Sequence, residues 1–171
     1  MEDKIKTNLD INTTSICSLC PYRLYAKDGQ KIELGRGNIT SDKMIVLPVG
    51  ASKQLLDIVV DEYKKVCGRN VFEDCYVTQI CKCTNNVEYK INQHAISYCS
   101  RLLFYEISKI KPRIILFLGN SYTDYSKHFR IILGNNGLKR IMMNYNPSVM
   151  LYDNINNHNS FINGLVDFVN G

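Results

Sequence analysis

The sequence has no tryptophan and only four prolines in 171 residues. It also lacks any long apolar run. The longest stretch of purely aliphatic and aromatic residues is Ile114-Ile115-Leu116-Phe117-Leu118, and five residues cannot cross a bilayer. Met1-Glu2-Asp3-Lys4-Ile5-Lys6 is not followed by an apolar segment, so no secretory signal is expected. The expected compartment is the cytosol, or the host cytoplasm for a viral chain. No P-loop and no Ser-His-Asp pattern is present. Gly35-Arg36-Gly37-Asn38 is too short for a dinucleotide fingerprint. His94, His128 and His158 show no ligand spacing and read as surface or packing residues.

What is present describes an ordinary globular chain. The hydrophobic fraction is 45% and the charged fraction 22%, which excludes disordered and collagen-like classes. The length predicts a polar N-terminal tail over 1–14 and one domain over 15–171. Net charge is +5, but it is uneven. Between Arg101 and Asn144, Arg101, Lys109, Lys111, Arg113, Lys127, Arg130, Lys139 and Arg140 face only Glu106 and Asp124. Such an excess points to an anionic partner or to a solvated basic face. The wealth of Asn, Ile and Lys fits an AT-biased genome, bacterial or viral.

Seven cysteines, Cys17, Cys20, Cys67, Cys75, Cys81, Cys83 and Cys99, are an odd number for a disulfide framework. Cys17-Ser-Leu-Cys20 can aim two thiolates at one metal, and Cys81, Cys83 and Cys99 offer others. No second C-x-x-C closes a compact zinc ribbon. An iron–sulfur cluster, zinc and unligated thiols therefore all stay open. The remaining cysteines read as small buried hydrophobes.

Hydrophobic periodicity predicts strands over Lys43–Pro48, Cys75–Ile80, Arg113–Leu118 and Leu138–Asn144. Helices are predicted over Ala51–Val66, Asn92–Ile110 and Ser160–Val169. A further helix is expected after Gly119-Asn120-Ser121, with Ser121 and Asp124 spaced as a capping box. Strands separated by helices mean crossover connections. The expected fold is an α/β three-layer αβα sandwich with a central four-stranded parallel sheet. Ligands in such folds sit beyond the carboxyl ends of the strands. The candidate loops are Val49–Lys53, Gln79–Thr84, Gly119–Ser121 and Tyr145–Val149. Asn146-Pro147-Ser148 supplies donors and acceptors there, although the same residues also make plain turns.

Assembled, these motifs resemble the iron–sulfur uracil-DNA glycosylases of bacteria and archaea, a branch of the uracil-DNA glycosylase superfamily. The resemblance runs over about residues 15 to 155. Its landmarks are Cys17-x-x-Cys20-Pro21, Gly35-Arg36-Gly37-Asn38, Tyr76-Val77-Thr78-Gln79, Lys82-Cys83, Cys99, Glu106-Ile107-Ser108-Lys109-Ile110-Lys111-Pro112-Arg113 and Leu118-Gly119. It implies a [4Fe–4S] cluster on Cys17, Cys20, Cys83 and Cys99, with zinc as the alternative. It also implies DNA, single- or double-stranded, as the partner. Candidate phosphate contacts are Lys82, Arg101, Asn120, Ser121, Lys127, Arg130, Lys139 and Arg140.

The departures from the family bear on chemistry. The family follows its first strand with G-E-x-P-G, which positions the attacking water, and P-F-V-G, whose Phe stacks on uracil. Here Val46-Leu47-Pro48 runs directly into Val49-Gly50-Ala51-Ser52-Lys53-Gln54-Leu55-Leu56. Gln79 stands where the family has an Asn that reads the uracil edge. Asn146-Pro147-Ser148 stands where it has H-P-S, as in the mismatch-specific branch. Asn146, Ser148 and Gln79 are therefore the candidate catalytic residues. The reading that follows is a divergent iron–sulfur protein that binds DNA with catalysis weak or lost, with a replication or viral protein as a further candidate partner. The alternatives are an active glycosylase in base excision repair and a redox or regulatory iron–sulfur protein.

Overall fold

The computed structural model describes residues 34–48, 51–82, 93–119 and 138–171. The predicted N-terminal tail, Cys17, Cys20, Cys83, Asn120, Ser121, Asp124, Lys127, His128 and Arg130 lie outside the described residues. So do Val49, Gly50 and the side chain of His94.

The order of elements is β1 (Arg36–Gly37), β2 (Lys43–Leu47), α1 (Lys53–Cys67), α2 (Val71–Asp74), β3 (Tyr76–Gln79), α3 (Gln93–Ile110), β4 (Ile114–Leu118) and β5 (Arg140–Asn144). A 3₁₀ turn over Pro147–Leu151 and helix α4 (Ile155–Asn170) complete the chain. The strands form one sheet in the order β1-β3-β2-β4-β5. The four predicted strands are all present, and each is parallel to its neighbour.

The sheet has a fifth member that the sequence pattern does not announce. β1 pairs antiparallel with β3, Arg36 opposite Val77 and Gly37 opposite Tyr76. Two residues are too few to show a period, so no alternation marks it. Its glycine is needed for the close approach. Gly37 has φ +116, and a methyl group there would collide with the Cys75 carbonyl oxygen.

β2 and β4 are apolar on both faces because helices cover both. Met44, Val46, Tyr76, Ile115 and Phe117 pack against Leu103 and Ile107 of α3. The alternate residues Ile45, Leu47, Val77, Ile114 and Leu116 pack against Val59 and Tyr63 of α1 and Phe161, Leu165 and Phe168 of α4. Period-two alternation on the strands thus splits one sheet between two cores. Ser52 caps α1, its side chain accepting from the Leu55 N–H, and Gly68 ends the helix at φ 73. α4 starts five residues before the predicted Ser160. Its polar first turn carries no apolar period, and the Asn154 side chain caps it by accepting from the Asn157 N–H. α3 ends differently. Lys111 takes the left-handed position at φ 52, its N–H bonded to the Ile107 carbonyl at 2.8 Å, and Pro112 blocks continuation. Among the described residues no helix is long and apolar enough to cross a membrane.

Candidate functional site

Because the four long strands run the same way, their carboxyl ends meet on one rim: Pro48 after β2, Gln79 ending β3, Gly119 after β4 and Asn144 ending β5. Gly119 turns the chain at φ +74 and donates its N–H to the Asn144 carbonyl at 2.9 Å. A methyl group on Gly119 would sit 3.4 Å from both Asn146 Nδ2 and Pro48 Cγ. Glycine here supplies the positive φ and leaves Asn146 room at the ends of β2 and β4.

Asn146 is held with a defined orientation. It is the N-cap of the 3₁₀ turn, and its Oδ1 accepts from the Ser148 N–H at 3.0 Å. A backbone N–H can only donate, so the amide atom that meets it must be oxygen. The NH₂ group is therefore the one that faces Gly119. The next residue, Pro147, stiffens the turn, because its ring fixes φ at the first position. Ser148 contributes its backbone N–H to this cap.

Asn144 anchors the strand below. Its Nδ2 donates to the Phe161 carbonyl at 2.8 Å, and its Oδ1 accepts from the Tyr145 N–H at 2.8 Å. A methyl group on Gly164 would lie 2.5 Å from the Asn144 side chain, so this contact requires glycine on α4. Spacing along either element does not reveal a bond that joins two of them.

On the other side of the rim, a cavity of about 300 Å³ opens between β2, β3 and the start of α1. Leu47, Ala51, Ser52, Lys53, Val77 and Gln79 line it. That volume is at the lower end of small-molecule sites. Gln79 is half-buried at its edge.

Gly35 and Thr78 border the same cavity and lead to a buried polar hub that no sequence spacing assembles. Glu106 on α3 is fully buried. One carboxylate oxygen accepts from the Gly35 N–H at 2.6 Å, the Tyr76 hydroxyl at 3.0 Å and the Thr78 hydroxyl at 3.0 Å. The other meets the Lys82 ammonium at 2.5 Å. Lys82 also donates to the Gln79 carbonyl and to Thr78 Oγ1. Burial pushes the Lys82 ammonium below its ordinary pKa, against the opposing pull of Glu106. Burial and the neighbouring carboxylate push the Tyr76 phenol upward. Gly35, Tyr76, Thr78, Lys82 and Glu106 all belong to the sequence landmarks, and the fold brings them to one carboxylate.

This corrects the expected role of Lys82. It is 1% exposed and committed to Glu106, so it presents no charge to a phosphate. Lone lysines are almost always exposed, and only a partner on a distant helix makes this one an exception. Arg101 is exposed midway along α3, near the Tyr98 ring. Lys139 and Arg140 are exposed, but they lie at the start of β5. Four residue steps at about 3.3 Å separate Arg140 from Asn144. These two cations therefore stand at the opposite end of the sheet from Asn146 and do not join its site. The strand direction holds that signal.

Cys99 is buried on α3 in the same core as Cys81. It is the one member of the expected ligand set among the described residues, where no group of three metal-ligating side chains forms. Cys75 packs in the other core, and burial pushes its thiol up to about 12. It is a protonated hydrophobe at neutral pH.

A family model described as the uracil DNA glycosylase superfamily matches residues 36–168. No curated protein sequence matches the chain.

Proposed function

The chain belongs to the uracil DNA glycosylase superfamily, and we propose that it binds DNA at the carboxyl rim and holds an unstacked base there, with N-glycosidic hydrolysis weak or lost. The observation that carries this reading is the orientation of Asn146. Its cap to Ser148 directs the NH₂ group toward Gly119 at the end of β4. A neutral amide can donate to an acceptor on a base and to charge developing on a departing one. Hydrolysis asks for a positioned and activated water as well. Pro48, Ser52, Gln79, Gly119, Asn146 and Ser148 include no carboxylate, and the carboxylate that lines the pocket beside Asn146 is that of Asp167 on α4, exposed to solvent rather than held in a buried network. Glu106, the buried carboxylate of the hub, already accepts from four groups.

The same reading includes a [4Fe–4S] cluster on Cys17, Cys20, Cys83 and Cys99, with zinc as the alternative. The donor set fits thiolate-bound metal in two respects. Cys99 lies on α3 seven residues before Glu106, two turns along the same face. Lys82, the neighbour of Cys83 in sequence, is pinned through Glu106 to α3, the helix that carries Cys99. A bound cluster would supply a structural tie between these segments.

The test is an alkali-cleavage assay on a labelled uracil-containing single strand, with protein purified anaerobically and in excess. A retarded strand with no breaks is expected. Breaks that disappear in Asn146→Ala would overturn the loss of hydrolysis and establish an active glycosylase. Failure to retard any DNA would overturn the DNA reading itself.

A further inference from the structure

The end of the sheet opposite the rim carries a concentrated charge that the proposed base site does not use. Lys109 and Lys111 close α3, Arg113 precedes β4, and Lys139 and Arg140 open β5. All five are exposed. Backbone hydrogen bonds join three of them, Arg113, Lys139 and Arg140, and Lys111 lies two residues before Arg113. The Arg113 N–H donates to the Asp42 carbonyl at 2.7 Å, and the Lys139 and Arg140 N–H groups donate to the Arg113 carbonyl at 2.8 and 3.1 Å. Arg140 opens β5 opposite Ile114, the first residue of β4, so Arg113 and Arg140 lie at the same end of adjacent strands spaced about 4.8 Å apart. Among the described residues the acid paired with them is Asp42, 3.3 Å from Arg113 with both side chains half-exposed. A pair so exposed is worth little and leaves Arg113 able to exchange partners.

The backbone at Lys111 is a second, independent sign. φ +52 is a position that helices commonly give to glycine. A lysine there adds local strain while placing a cation beside Arg113. Helix C-termini favour cations, which accounts for Lys109 and Lys111, but Arg113, Lys139 and Arg140 are not on a helix.

We propose that this amino-terminal end of the sheet is a second DNA surface, one that takes the phosphate backbone of duplex DNA without reading its bases. Its exposed chemistry is predominantly cationic, as sequence-independent phosphate contact requires. The proposal rests on the reading that the protein engages DNA, yet it involves none of the rim residues.

The experiment measures binding of a fluorescein-labelled duplex lacking uracil over a salt series, with the full chain. The triple variant Lys111→Gly, Lys139→Gln, Arg140→Gln is expected to bind roughly tenfold or more weakly. Its plot of log affinity against log salt should flatten by about 2 to 3, since each phosphate contact contributes about 0.9. Lys111→Gly alone, in which glycine suits the backbone, should lower the slope by about 0.9 with little change in melting temperature. That variant separates lost charge from lost fold. An unchanged slope in the triple variant, with wild type still binding, would overturn the second surface and leave the rim reading standing. No binding of this duplex by wild type would overturn the second surface and leave the rim reading to the single-strand assay. Displacement of the duplex by polyglutamate more readily than by unlabelled duplex of equal charge would assign the surface to an acidic protein and overturn the proposal.

Discussion

The two ends of the same parallel strands differ in how they hold their polar groups. At the carboxyl end Asn144, Asn146, Gln79 and Gly119 are neutral, and the geometry of Asn144, Asn146 and Gly119 is set by bonds inside the protein. Glu106 and Lys82 in the hub are charged but buried, each answering the other. At the amino end Lys111, Arg113, Lys139 and Arg140 are exposed, and the ion pair among the described residues there is the loose one between Arg113 and Asp42. One end is preorganised by internal hydrogen bonds and carries charge at its margins, on Lys53 and Asp167, which suits recognition of a neutral heterocycle. The other has charge without fixed geometry, which suits a polyanion.

The largest expected break in this contrast is at the hub. Glu106→Ala leaves the Lys82 ammonium buried and unpaired, together with Tyr76, Thr78 and the Gly35 N–H. Removing one partner of a buried ion pair costs about 3–5 kcal/mol. A urea titration should show the unfolding free energy fall by that amount. Replacing both charges together, with Lys82→Met and Glu106→Gln, should cost less than Glu106→Ala alone, because no unpaired charge remains. A double variant as unstable as the single would mean that the neutral partners, not the ion pair, dominate the hub.

Gly164→Ala sharpens the contrast at the rim itself. The added methyl would meet the Asn144 side chain at 2.5 Å. Either α4 retreats or Asn144 gives up its bond to Phe161, and overpacking of this kind costs about 1–3 kcal/mol. Asn146 sits two residues on, so base binding should weaken in parallel with stability. Calorimetric melts read beside binding of a uracil-containing single strand check this. Full binding by a destabilised variant would show that Asn146 keeps its orientation without Asn144.

How far the sequence discloses these two ends follows from the range of the interactions. The four long strands and three of the helices are legible because their signal is local: five apolar residues in β4, or Ile107 and Ile110 recurring on α3. β1 is invisible because two residues carry no period. The hub is half legible. Tyr76, Thr78, Lys82 and Glu106 stand out as motif residues, but the bonds between Glu106 and the others span 24 to 30 positions and cross two elements. Lys82 looks like a surface cation in the sequence because it follows β3 and its partner is 24 residues away on α3. The misplacement of Lys139 and Arg140 has a different origin. A run of positive charge along the sequence looks like one face, whereas a parallel strand sends its first and last residues to opposite ends of the molecule.

A smaller effect concerns pH and touches the amino end alone. Cys75, just before β3, has its thiol raised by burial from 9.0 to about 12. The folded state keeps this proton after the unfolded chain has lost it. Its contribution to stability is therefore full below about pH 9 and declines as pH rises from there toward about 12. Wild type should lose stability across that window more steeply than Cys75→Val, in melting curves taken at a series of alkaline pH values. Parallel curves for the two proteins would show that the thiol stays protonated equally in both states.

The smallest expected change is at Lys111, where three terms of similar size oppose one another. A non-glycine residue at φ 52 carries a strain of about 1 kcal/mol, which Lys111→Gly relieves. Glycine also frees the unfolded chain, which costs about 0.4–1 kcal/mol. Loss of a cation at the carboxyl end of α3 costs a further 0.3–1 kcal/mol, roughly. The net change should therefore stay within about 1 kcal/mol of zero, and screening by salt should move it toward stabilisation, since salt weakens the dipole term but not the backbone terms. Thermal melts at low and high salt read this directly. A large loss at both salt concentrations would mean that the lysine side chain holds the α3–β4 junction in place, and the basic end of the sheet would then be as tightly built as the rim.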